Sequence, residues 1–455
     1  MKSQFRRLNA GALLLALAVS TAGCAQDDAP QAGGATAITV MGMPAATNAK
    51  ALKLFKDQVA AFEKANPDIK ITGSDLPWDV KTFAPMLAAG SAPTVLRVPL
   101  TEPAGLIERR QVADITKEAT ALAEFGALNP DIMSYLTRDG VTYGLPEKAY
   151  ALGLAYNRSL FTKAGLDPDK PPATWDEVRA YAKQISQKTG AVGFGEITTN
   201  NSGGWHLTAY TYSEGGSMIK EAQPGKWAAS FNDTAARQVL DRWRAMRWED
   251  DSMGGNVLGK QEDLIAQFSA GKVGMWVTSP SDIYPTYVTN GGRPEDFGGG
   301  PMPQGAGSAT LVGGTIHLVN AKATPEQRAA AVKWIRFRYL RPNFDTEAAV
   351  TNAKAAAADG TPVGVPVLPI FDQATADKVR EAITPHANVP AENFAGYVKS
   401  LSAFTFTPEP QVASQEIYAA LDPVAQAVLT RQDADPAKLL ADAEARVNAI
   451  LQKQQ

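Results

Sequence analysis

The chain has 455 residues, of which 45% are hydrophobic, 44 are lysine or arginine and 47 are aspartate or glutamate. A chain of this length needs more than one hydrophobic core, so we expect two lobes or domains, and its ordinary globular composition argues against wholesale disorder. The acidic balance argues against nucleic acid as a partner.

The first 23 residues are typical of a cleaved export signal. Three basic residues within the first seven positions precede the apolar run Leu13 to Val19, which is too short for a membrane span. Removing this segment leaves 44 − 3 = 41 basic against 47 acidic side chains, a net charge of −6. The predicted mature protein is therefore more acidic than the whole chain.

Cys24 is the single cysteine of the chain, so no intramolecular disulfide can form. The small residues Thr21-Ala22-Gly23 before it resemble a bacterial lipobox, in which this cysteine becomes the lipidated first residue of the mature protein. Residues 24–37 are polar and rich in small side chains, as a flexible tether requires. An ordinary export signal with a chance cysteine is the alternative.

After the tether, strand and helix patterns alternate. Apolar residues spaced three and four apart from Leu52 to Phe62 indicate a helix, with Thr47 as its cap and Asn66 at its end. This alternation indicates a parallel sheet with helices on its faces. The elements predicted here are a strand Ile38 to Met41, that helix, a strand Ile69 to Thr72, a helix Lys81 to Ala89 and a strand Thr94 to Val98.

The stretch Val141 to Ile185 allows the other elements to be placed. A turn is predicted at Tyr143 to Pro146, because proline cannot enter a central strand. Thr174 and Glu177 have the spacing of a capping box and start a helix that runs to the end of the stretch. Between them we predict a buried strand Ala151 to Tyr156, a helix Arg158 to Ala164 closed by Gly165, and a loop Leu166 to Ala173.

After Ile185 the predicted elements are first a mixture of strands and helices and then mainly helices. No later segment is long and apolar enough to cross a membrane. The predicted elements are a strand Ala191 to Gly195, a helix Trp205 to Ser213, a helix from Asp233, a helix through Leu264 and Phe268, a strand Val273 to Thr278, a glycine-rich region Phe297 to Val319, a helix from Thr324, and helices Thr346 to Ala358, Thr375 to Thr384, Gln411 to Thr430 and Ala437 to Leu451.

No catalytic device can be assembled from the sequence motifs. His206, His317 and His386 are the only histidines and lie far apart, so no zinc spacing exists. The chain has no G-x-S-x-G, no Walker loop and no G-x-G-x-x-G after a strand. We therefore predict that the protein is not an enzyme and holds no metal or cofactor. Carboxylates are plentiful, so a glycosidase pair stays open as an alternative.

Four motifs in the stretch Val141 to Ile185 carry a family resemblance. They are YGLP at 143–146, LAYN at 154–157, LFTKAGLDP at 160–168 and PATWDE at 172–177. This arrangement resembles the extracellular solute-binding proteins of ATP-driven (ABC) importers, specifically the maltose-binding-like group that carries oligosaccharides. The resemblance implies an α/β, two-lobed periplasmic-binding-protein fold, type II-like, with a ligand cleft between lobes joined by crossing strands.

The resemblance also implies how the chain is divided. Segments crossing between the lobes are expected near Pro146 to Ala151, near Asp296 to Pro303 and near Tyr339 to Asn343. The predicted division is a signal peptide at 1–23, a lipidated tether at 24–37, an N-terminal lobe at 38–148 and 297–340, and a C-terminal lobe at 149–296 and 341–455.

The implied function is capture of a sugar or oligosaccharide outside the cell and delivery to a membrane permease. The protein would be a monomer held by its lipid on the extracytoplasmic face of the cell membrane. A phosphorylated polyol or a peptide is the alternative ligand, and Arg97 is the candidate contact for it. Two rivals from other classes are a secreted glycan-cleaving enzyme and a structural or adhesive lipoprotein.

A sugar has an apolar face of C–H groups and a rim of hydroxyls, so its receptor needs aromatic rings and polar groups. Trp205 follows a loop of Asn, Ser and Gly, where the family commonly has a ring that stacks on the ligand. Packing in the core is the alternative for Trp205 and for the other aromatic candidates. The further candidate contacts are Trp78, Asp79, Tyr150, Asp282, Tyr284, Gly313 and Gly314.

Two positions depart from the family pattern. Thr94 stands where the family usually has an aspartate after the proline at 93. The geometry of the loop after the strand Thr94 to Val98, and the ligand contacts made there, are therefore expected to differ from those of the family. Ser281 stands where maltose-type members have a stacking tryptophan. We therefore expect a ligand different from maltose.

Overall fold

The computed structural model describes residues 34–79 and 82–453. The predicted signal peptide, Cys24 and most of the tether lie outside the described residues. Within the described ranges, no helix combines the length and apolar character that a membrane span requires.

The described residues contain strands that form two large sheets and two short antiparallel pairs. The strands are β1 (Thr36–Met41), β2 (Ile69–Ser74), β3 (Val95–Pro99), β4 (Thr137–Arg138), β5 (Val141–Thr142), β6 (Gly144–Ala151), β7 (Gly153–Asn157), β8 (Val192–Phe194), β9 (Ile219–Gln223), β10 (Lys226–Ala229), β11 (Val273–Thr278), β12 (Phe297–Gly300), β13 (Ala309–Val319) and β14 (Thr405–Pro408).

Helices surround both sheets. They are α1 (Ala49–Ala65), α2 (Phe83–Ala88), α3 (Pro103–Glu108), α4 (Thr116–Thr120), α5 (Pro130–Met133), α6 (Arg158–Ala164), α7 (Trp175–Thr189), α8 (Ser202–Ser213), α9 (Thr234–Trp248), α10 (Gln261–Ser269), α11 (Pro280–Thr289), α12 (Pro325–Ile335), α13 (Thr346–Ala358), α14 (Gln373–Ile383), α15 (Ala395–Ser400), α16 (Ser414–Thr430) and α17 (Pro436–Leu451).

The first sheet has six strands in the order β14-β13-β3-β1-β2, with β6 also paired to β13. β1 is parallel to both β2 and β3, which confirms the parallel arrangement predicted for this part of the chain. Because the carboxyl ends of parallel strands meet at one edge, the loops after β1, β2 and β3 lie together. That edge is where open α/β sheets bind ligands.

The second sheet has the order β12-β7-β11-β8. Every residue of β7 and of β11 is buried. Strands covered on both faces read as continuous apolar runs, which is why Val273 to Thr278 was recognisable as a strand from sequence. Each sheet has its own apolar core.

The turn predicted at Tyr143 to Pro146 is wrong, because β6 begins at Gly144 and runs through this proline. Among the described strands, β6 pairs with β13 alone. Pro146 lies opposite Ile316, where the register of the pair shifts. Proline has no N–H to donate, and an irregular, one-sided pairing tolerates that loss.

Three predicted helix signals are confirmed, whereas the cap predicted at Thr47 is wrong, because Oδ1 of Asn48 accepts from the amide of Ala51 at 3.1 Å and caps α1. Oγ1 of Thr174 accepts from the amide of Glu177 at 3.2 Å, and Oε2 of Glu177 accepts from the amide of Thr174 at 3.1 Å. Gly165 ends α6 in the left-handed region with φ +79. Asp233 caps α9 as expected, because its carboxylate accepts from the amide of Ala236 at 3.0 Å.

The predicted lobe boundaries remain a prediction, but one segment packs elsewhere than expected. Leu368 and Phe371 are buried in the core that contains Ile38 of the first sheet, although the prediction gives residues 341–455 to the other lobe. β14 also joins the first sheet, at β13. The chain therefore returns to the first sheet after position 340.

Candidate functional site

A cavity of about 120 Å³ opens at the carboxyl edge of the first sheet. Three stretches line it: the region of Trp78 and α2, the segment from Thr101 through α3 to Arg109, and residues 411–416 at the start of α16. The first two stretches follow β2 and β3, and the third follows β14. The topology of the first sheet therefore builds this cavity from parts of the chain that are far apart in sequence.

Trp78, one of the candidate ligand contacts, lines the cavity. It is half-buried, and its indole nitrogen is buried without a hydrogen-bond partner. Asp79 is exposed, and Oδ1 accepts from the amide and hydroxyl of Thr82 at 3.1 and 3.2 Å. The carboxylate of Asp79 therefore holds the turn into α2, beside the tryptophan that lines the cavity.

Glu102 lines the cavity at the start of α3 and is half-buried. Its pKa is raised to about 7, chiefly by burial; the charge of Arg109 and a hydrogen bond from Thr101 lower this pKa, and the charge of Glu416 raises it. Arg109 and Glu416 also line the cavity. The cavity wall therefore holds two carboxyl groups that repel each other and one exposed guanidinium.

Glu409 is a buried carboxyl group close to Glu102. It directly follows β14, and its Oε2 accepts from the phenol of Tyr418 at 2.8 Å. The indole N–H of Trp205 also donates to it. The pKa of Glu409 is raised to about 7, chiefly by burial and in smaller part by the charge of Glu102, and the two hydrogen-bond donors act in the opposite direction.

Contacts around the start of α8 position Trp205 beside Glu409. Its ring is half-buried and lies 5.0 Å from that of His206. Asp422 of α16 accepts from the amides of Asn201 and Gly204 at 2.8 and 2.9 Å, and so caps α8. A Cβ on Gly204 would lie 2.3 Å from the carbonyl oxygen of Tyr418, so only glycine allows α8 and α16 to pack this closely.

Tyr150 also belongs to the surroundings of Glu409. The pKa of Tyr150 is raised by burial and by the charges of Glu409 and Asp282. Its ring lies over Gly313, where a Cβ would meet the phenol oxygen at 2.4 Å. Gly314 is buried opposite Ala149, and a Cβ there would lie 2.5 Å from the carbonyl oxygen of Lys148. The paired glycines thus make room for β6 and its tyrosine.

Asp282 and Tyr284 are both on α11 but lie in different surroundings. Lys148 of β6 donates to Oδ2 of Asp282 at 3.0 Å, which ties β6 to this helix. Tyr284 is 1% exposed, with its ring 5.0 Å from Phe297 and 5.3 Å from Phe394. The structure therefore places Tyr284 in the aromatic core and does not bring it to the cavity.

Arg97, the sequence-based candidate for binding an anion, already forms an ion pair within the protein. Its Nε and Nη2 donate to the two carboxylate oxygens of Glu147 at 2.7 Å each. Nε2 of the fully buried His317 lies 2.9 Å from the same carboxylate. These hydrogen bonds hold the pKa of Glu147 well below its usual range against the effect of burial. The charge of this guanidinium, whose side chain is 37% exposed, is therefore balanced by Glu147.

Sequence reasoning missed Glu102, Glu409 and Ala413. Ala413, which lines the cavity, has φ +51, a strained value for a residue with a Cβ and one that is enriched at ligand sites. No local motif marks the two glutamates, because the sheet brings them together from positions 307 residues apart. Among the described residues, no group of three His, Cys, Asp or Glu side chains is arranged to hold a metal ion.

Known proteins match this chain over different lengths. A putative binding protein of Brucella abortus is 30% identical over 248 residues, which are 51% of this chain and 56% of that protein. The sn-glycerol-3-phosphate-binding periplasmic protein UgpB of Shigella dysenteriae is 27% identical over 158 residues, 32% of this chain and 36% of UgpB. The first of these matches spans little more than half of its relative's length.

Solved structures and a family model match more of the chain. The maltose-bound MalE3 of T. maritima superposes with a TM-score of 0.68 at 23% identity, covering 90% of this chain and 98% of MalE3. This similarity confirms the predicted α/β, two-lobed fold with its cleft between lobes. The family model of the bacterial extracellular solute-binding proteins matches residues 45–339. The chain belongs to the family of bacterial extracellular solute-binding proteins.

Proposed function

We propose that the protein is the substrate-binding component of an ABC importer, which captures a sugar or oligosaccharide outside the cell and delivers it to a membrane permease. The observation that carries this proposal is the composition of the cleft. Trp78 offers an aromatic face and Glu102 a carboxyl group in the cavity wall, and the half-buried Trp205 is hydrogen-bonded to the buried Glu409 near Glu102. C–H faces and hydroxyl rims of sugars need these two kinds of partner.

In this proposal, closure of the cleft distinguishes the ligand-bound protein from the free protein for the permease. Trp78 and Glu102 belong to the side of the first sheet, whereas Trp205 lies on α8 and packs against the second core. A ligand that contacts both sides stabilises the closed arrangement, because only differential affinity shifts such an equilibrium. The present volume of about 120 Å³ is below the roughly 300 Å³ of typical small-molecule sites, so a disaccharide requires the walls to separate first.

A phosphorylated polyol is the second candidate ligand, favoured by the similarity to UgpB. A phosphate needs a cluster of cationic groups or backbone amides. Arg97 is bound to Glu147, and Arg109 is the one cation among the described residues that line the cavity, where it faces Glu102. The charges of the cleft therefore favour a sugar over a phosphate ester.

Binding without turnover is part of the proposal. Glu102 lines the cavity and its charge acts on the nearby, buried Glu409, so a glycosidase pair remains the alternative to test. The sequence contains no motif of an activated nucleophile, and a delivery protein returns its cargo unchanged. Chromatography of each bound saccharide after long incubation tests this point, and catalytic appearance of product would show that the protein is an enzyme.

The cellular setting completes the proposal. The protein is expected to work as a monomer, anchored by a lipid on Cys24 to the extracytoplasmic face of the cell membrane. The family to which the chain belongs is extracellular, and the small residues before Cys24 support the anchor. The permease and its ATPase subunits are separate proteins.

A thermal-shift screen tests the function directly. Purified protein is heated with a panel of mono- and oligosaccharides, sn-glycerol 3-phosphate and short peptides, and hits are titrated by calorimetry. We expect at least one saccharide to raise the melting temperature and to bind with a measurable Kd. Stabilisation by the phosphate ester or a peptide alone would contradict the sugar assignment.

A further inference from the structure

A proline-rich segment, residues 361–372, lies between α13 and α14, and we call it the strap. Its sequence TPVGVPVLPIFD contains three prolines, each of which fixes a backbone torsion angle, so the strap is a stiff piece of chain. Leu368 and Phe371 are buried in the core of the first sheet. Val365 packs instead against the apolar cluster on the second sheet that contains Phe297 of β12. The strap therefore touches both sides of the cleft.

Hydrogen bonds fix the second half of the strap to the side of the first sheet. The amide of Asn129 donates to the carbonyl of Ile370 at 2.9 Å, and its side-chain nitrogen donates to the carbonyl of Pro369 at 2.9 Å. Leu368 forms an isolated antiparallel bridge with Ala149 of β6. The strap thus continues the first sheet beyond β6.

A row of paired residues runs from the cavity to the strap. The amide of Leu100, which directly precedes the α3 side of the cavity, donates to the carbonyl of Gly314 at 3.0 Å. Gly314 lies opposite Ala149, and Ala149 is bridged to Leu368. Because neighbouring strands lie about 4.8 Å apart, the three steps of this row span roughly 14 Å. The row therefore forms the floor of the cleft between the cavity and the strap, beside Tyr150.

At the strap, the two sides of the cleft are in direct contact. Ser281, at the start of α11, is 5% exposed, and its Oγ donates to the carbonyl of Pro366. Next to this contact, Lys148 of β6 forms a 3.0 Å ion pair with Asp282 of α11. A cleft ends where its walls meet. A ligand therefore cannot pass between α11 and the strap while these contacts are in place.

The two ends of the cleft differ in what they offer a sugar. Trp78 lines the cavity, and its indole nitrogen is buried there without a hydrogen-bond partner. Tyr284 and Tyr287 of α11 are each 1% exposed, so this helix presents neither ring to the cleft. The cleft thus has an aromatic end at the cavity and a closed end at α11.

We propose that the cleft is blind at α11 and that a saccharide binds with one of its termini against the contact between α11 and the strap. The proposal rests on the saccharide-binding function above and specifies which part of the saccharide is recognised. A bulky substituent on that terminus has no space, because the contacts of Ser281 and Lys148 close the cleft beyond it. A saccharide that is blocked there is therefore excluded.

Sugars blocked at one end test the blind end. The parent sugars are maltose, cellobiose, lactose and mannobiose. Each is also used as its p-nitrophenyl glycoside, which blocks the reducing end, and as its 4,6-O-benzylidene acetal, which blocks the non-reducing end. For each parent that binds, calorimetry should show at least one blocked form about tenfold weaker or more, a difference that corresponds to about 1.4 kcal/mol.

Two substitutions assign the exclusion to the closed end. Ser281→Ala removes the donor to Pro366, and Lys148→Ala breaks the ion pair with Asp282. The readout is the affinity of an excluded form divided by that of its parent sugar, because a general loosening of the closed state weakens both alike and leaves this ratio unchanged. The double variant should raise the ratio at least about fivefold for one excluded form, since the steric barrier is relieved.

Each substitution has a matched control outside the strap and α11. Ser252 is a buried serine whose Oγ donates to the carbonyl of Met246 at 3.1 Å, and Lys438 forms a 2.6 Å ion pair with Asp442 on α17. Ser252→Ala and Lys438→Ala make the same chemical changes and should leave the ratio unchanged. Thermal melts establish that each variant is folded. Lys148→Ala, at a side chain that is half-exposed, carries the test alone if the double variant does not fold.

The outcomes distinguish this proposal from the function on which it rests. If a parent sugar binds and both of its blocked forms bind as tightly, the cleft is not blind, and the saccharide function stands. If a blocked form is excluded and the ratio stays the same in the variants, the contact of α11 with the strap is not the cause and the proposal is overturned. If no saccharide binds, here or in the thermal-shift screen, the saccharide function and the blind end fall together.

Discussion

The phenol of Tyr418 donates a 2.8 Å hydrogen bond to Oε2 of Glu409, and the two residues are 1% and 9% exposed. Tyr418 lies on α16, while Glu409 directly follows the last strand of the first sheet. The pair therefore fixes a buried carboxyl group where the chain passes from that sheet to the helix that packs on α8. Trp205 of α8 donates to the same carboxyl group.

The dependence of stability on pH tests the environment of Glu409. Its pKa is about 7 in the folded protein against an ordinary 4.5, so between these values the folded chain holds a proton that the unfolded chain releases. The stability from this group is full below about pH 4.5 and is lost as the pH rises through about 7. Glu409→Gln should remove this loss, on the order of 3 kcal/mol for the whole shift.

Urea unfolding of wild type and Glu409→Gln across this interval provides the measurement. The difference in unfolding free energy should grow in favour of the variant as the pH rises. Glu381→Gln serves as the control, because it changes an exposed glutamate of α14. Parallel pH curves for wild type and Glu409→Gln would contradict the raised pKa.

For Glu147 we predict the opposite dependence of stability on pH. Its pKa is depressed below the ordinary 4.5 by His317 and Arg97, so its contribution is present above about pH 4.5 and declines as the pH falls toward the folded value. Glu147→Gln should cost about 2 to 4 kcal/mol at neutral pH, since Arg97 and His317 lose their shared partner. Denaturation at neutral and acidic pH checks both the size and the trend, and a pH-independent cost would argue against an ionised Glu147.

Ala413 offers a test of backbone strain at the cavity. Its φ of +51 is a left-handed value that a Cβ disfavours, so Ala413→Gly should stabilise the folded protein by up to about 1 kcal/mol, less the extra freedom of the unfolded chain. Ala420→Gly, within the regular part of α16, should instead destabilise by about 1 kcal/mol. Equal losses in the two variants would show that the conformation of Ala413 is not strained.

The lipid anchor has its own test. Mass spectrometry of the protein from native membranes should find an N-terminus at Cys24 carrying acyl mass, because the small-residue run before it is typical of a lipidation signal. Cys24→Ala should release the protein from the membrane. A mature chain that starts elsewhere without modification would contradict the anchor.

Local signals in the sequence predicted several helix ends, although Asn48 and not the predicted Thr47 caps α1. The capping box of Thr174 and Glu177 and the helix end at Gly165 depend on residues within a few positions of one another, and both are confirmed. Pro146 was misinterpreted as part of a turn. The strand accepts this proline because its pairing with β13 is irregular opposite Ile316, which is 170 residues away. β14 was missed, since the short TFTP run pairs with β13 almost a hundred residues earlier.

The site was predicted less completely than the fold. Trp78 and Trp205 stay candidate contacts that the sequence suggests because aromatic rings near loops are visible in it, whereas β14 and α16 determine the surroundings of Glu409. The sequence suggests Tyr284 and Arg97 as ligand contacts because of their residue types. Their neighbours in the folded protein, which the sequence does not reveal, determine whether they are accessible to a ligand. Phe297 and Phe394 enclose the tyrosine, and Glu147 neutralises the arginine.

Calorimetric titration of Trp205→Ala tests the central claim most directly. With the saccharide that binds wild type, we expect Kd to rise about ten- to hundredfold, because stacking and buried area are lost. Trp248→Ala is the matched control, since this half-buried indole donates to the carbonyl of Val428 at 2.9 Å away from the cavity. It should lower stability and leave Kd unchanged. Unchanged affinity in Trp205→Ala, with a stability loss of about 3 to 5 kcal/mol, would show that Trp205 is a core residue and contradict the account.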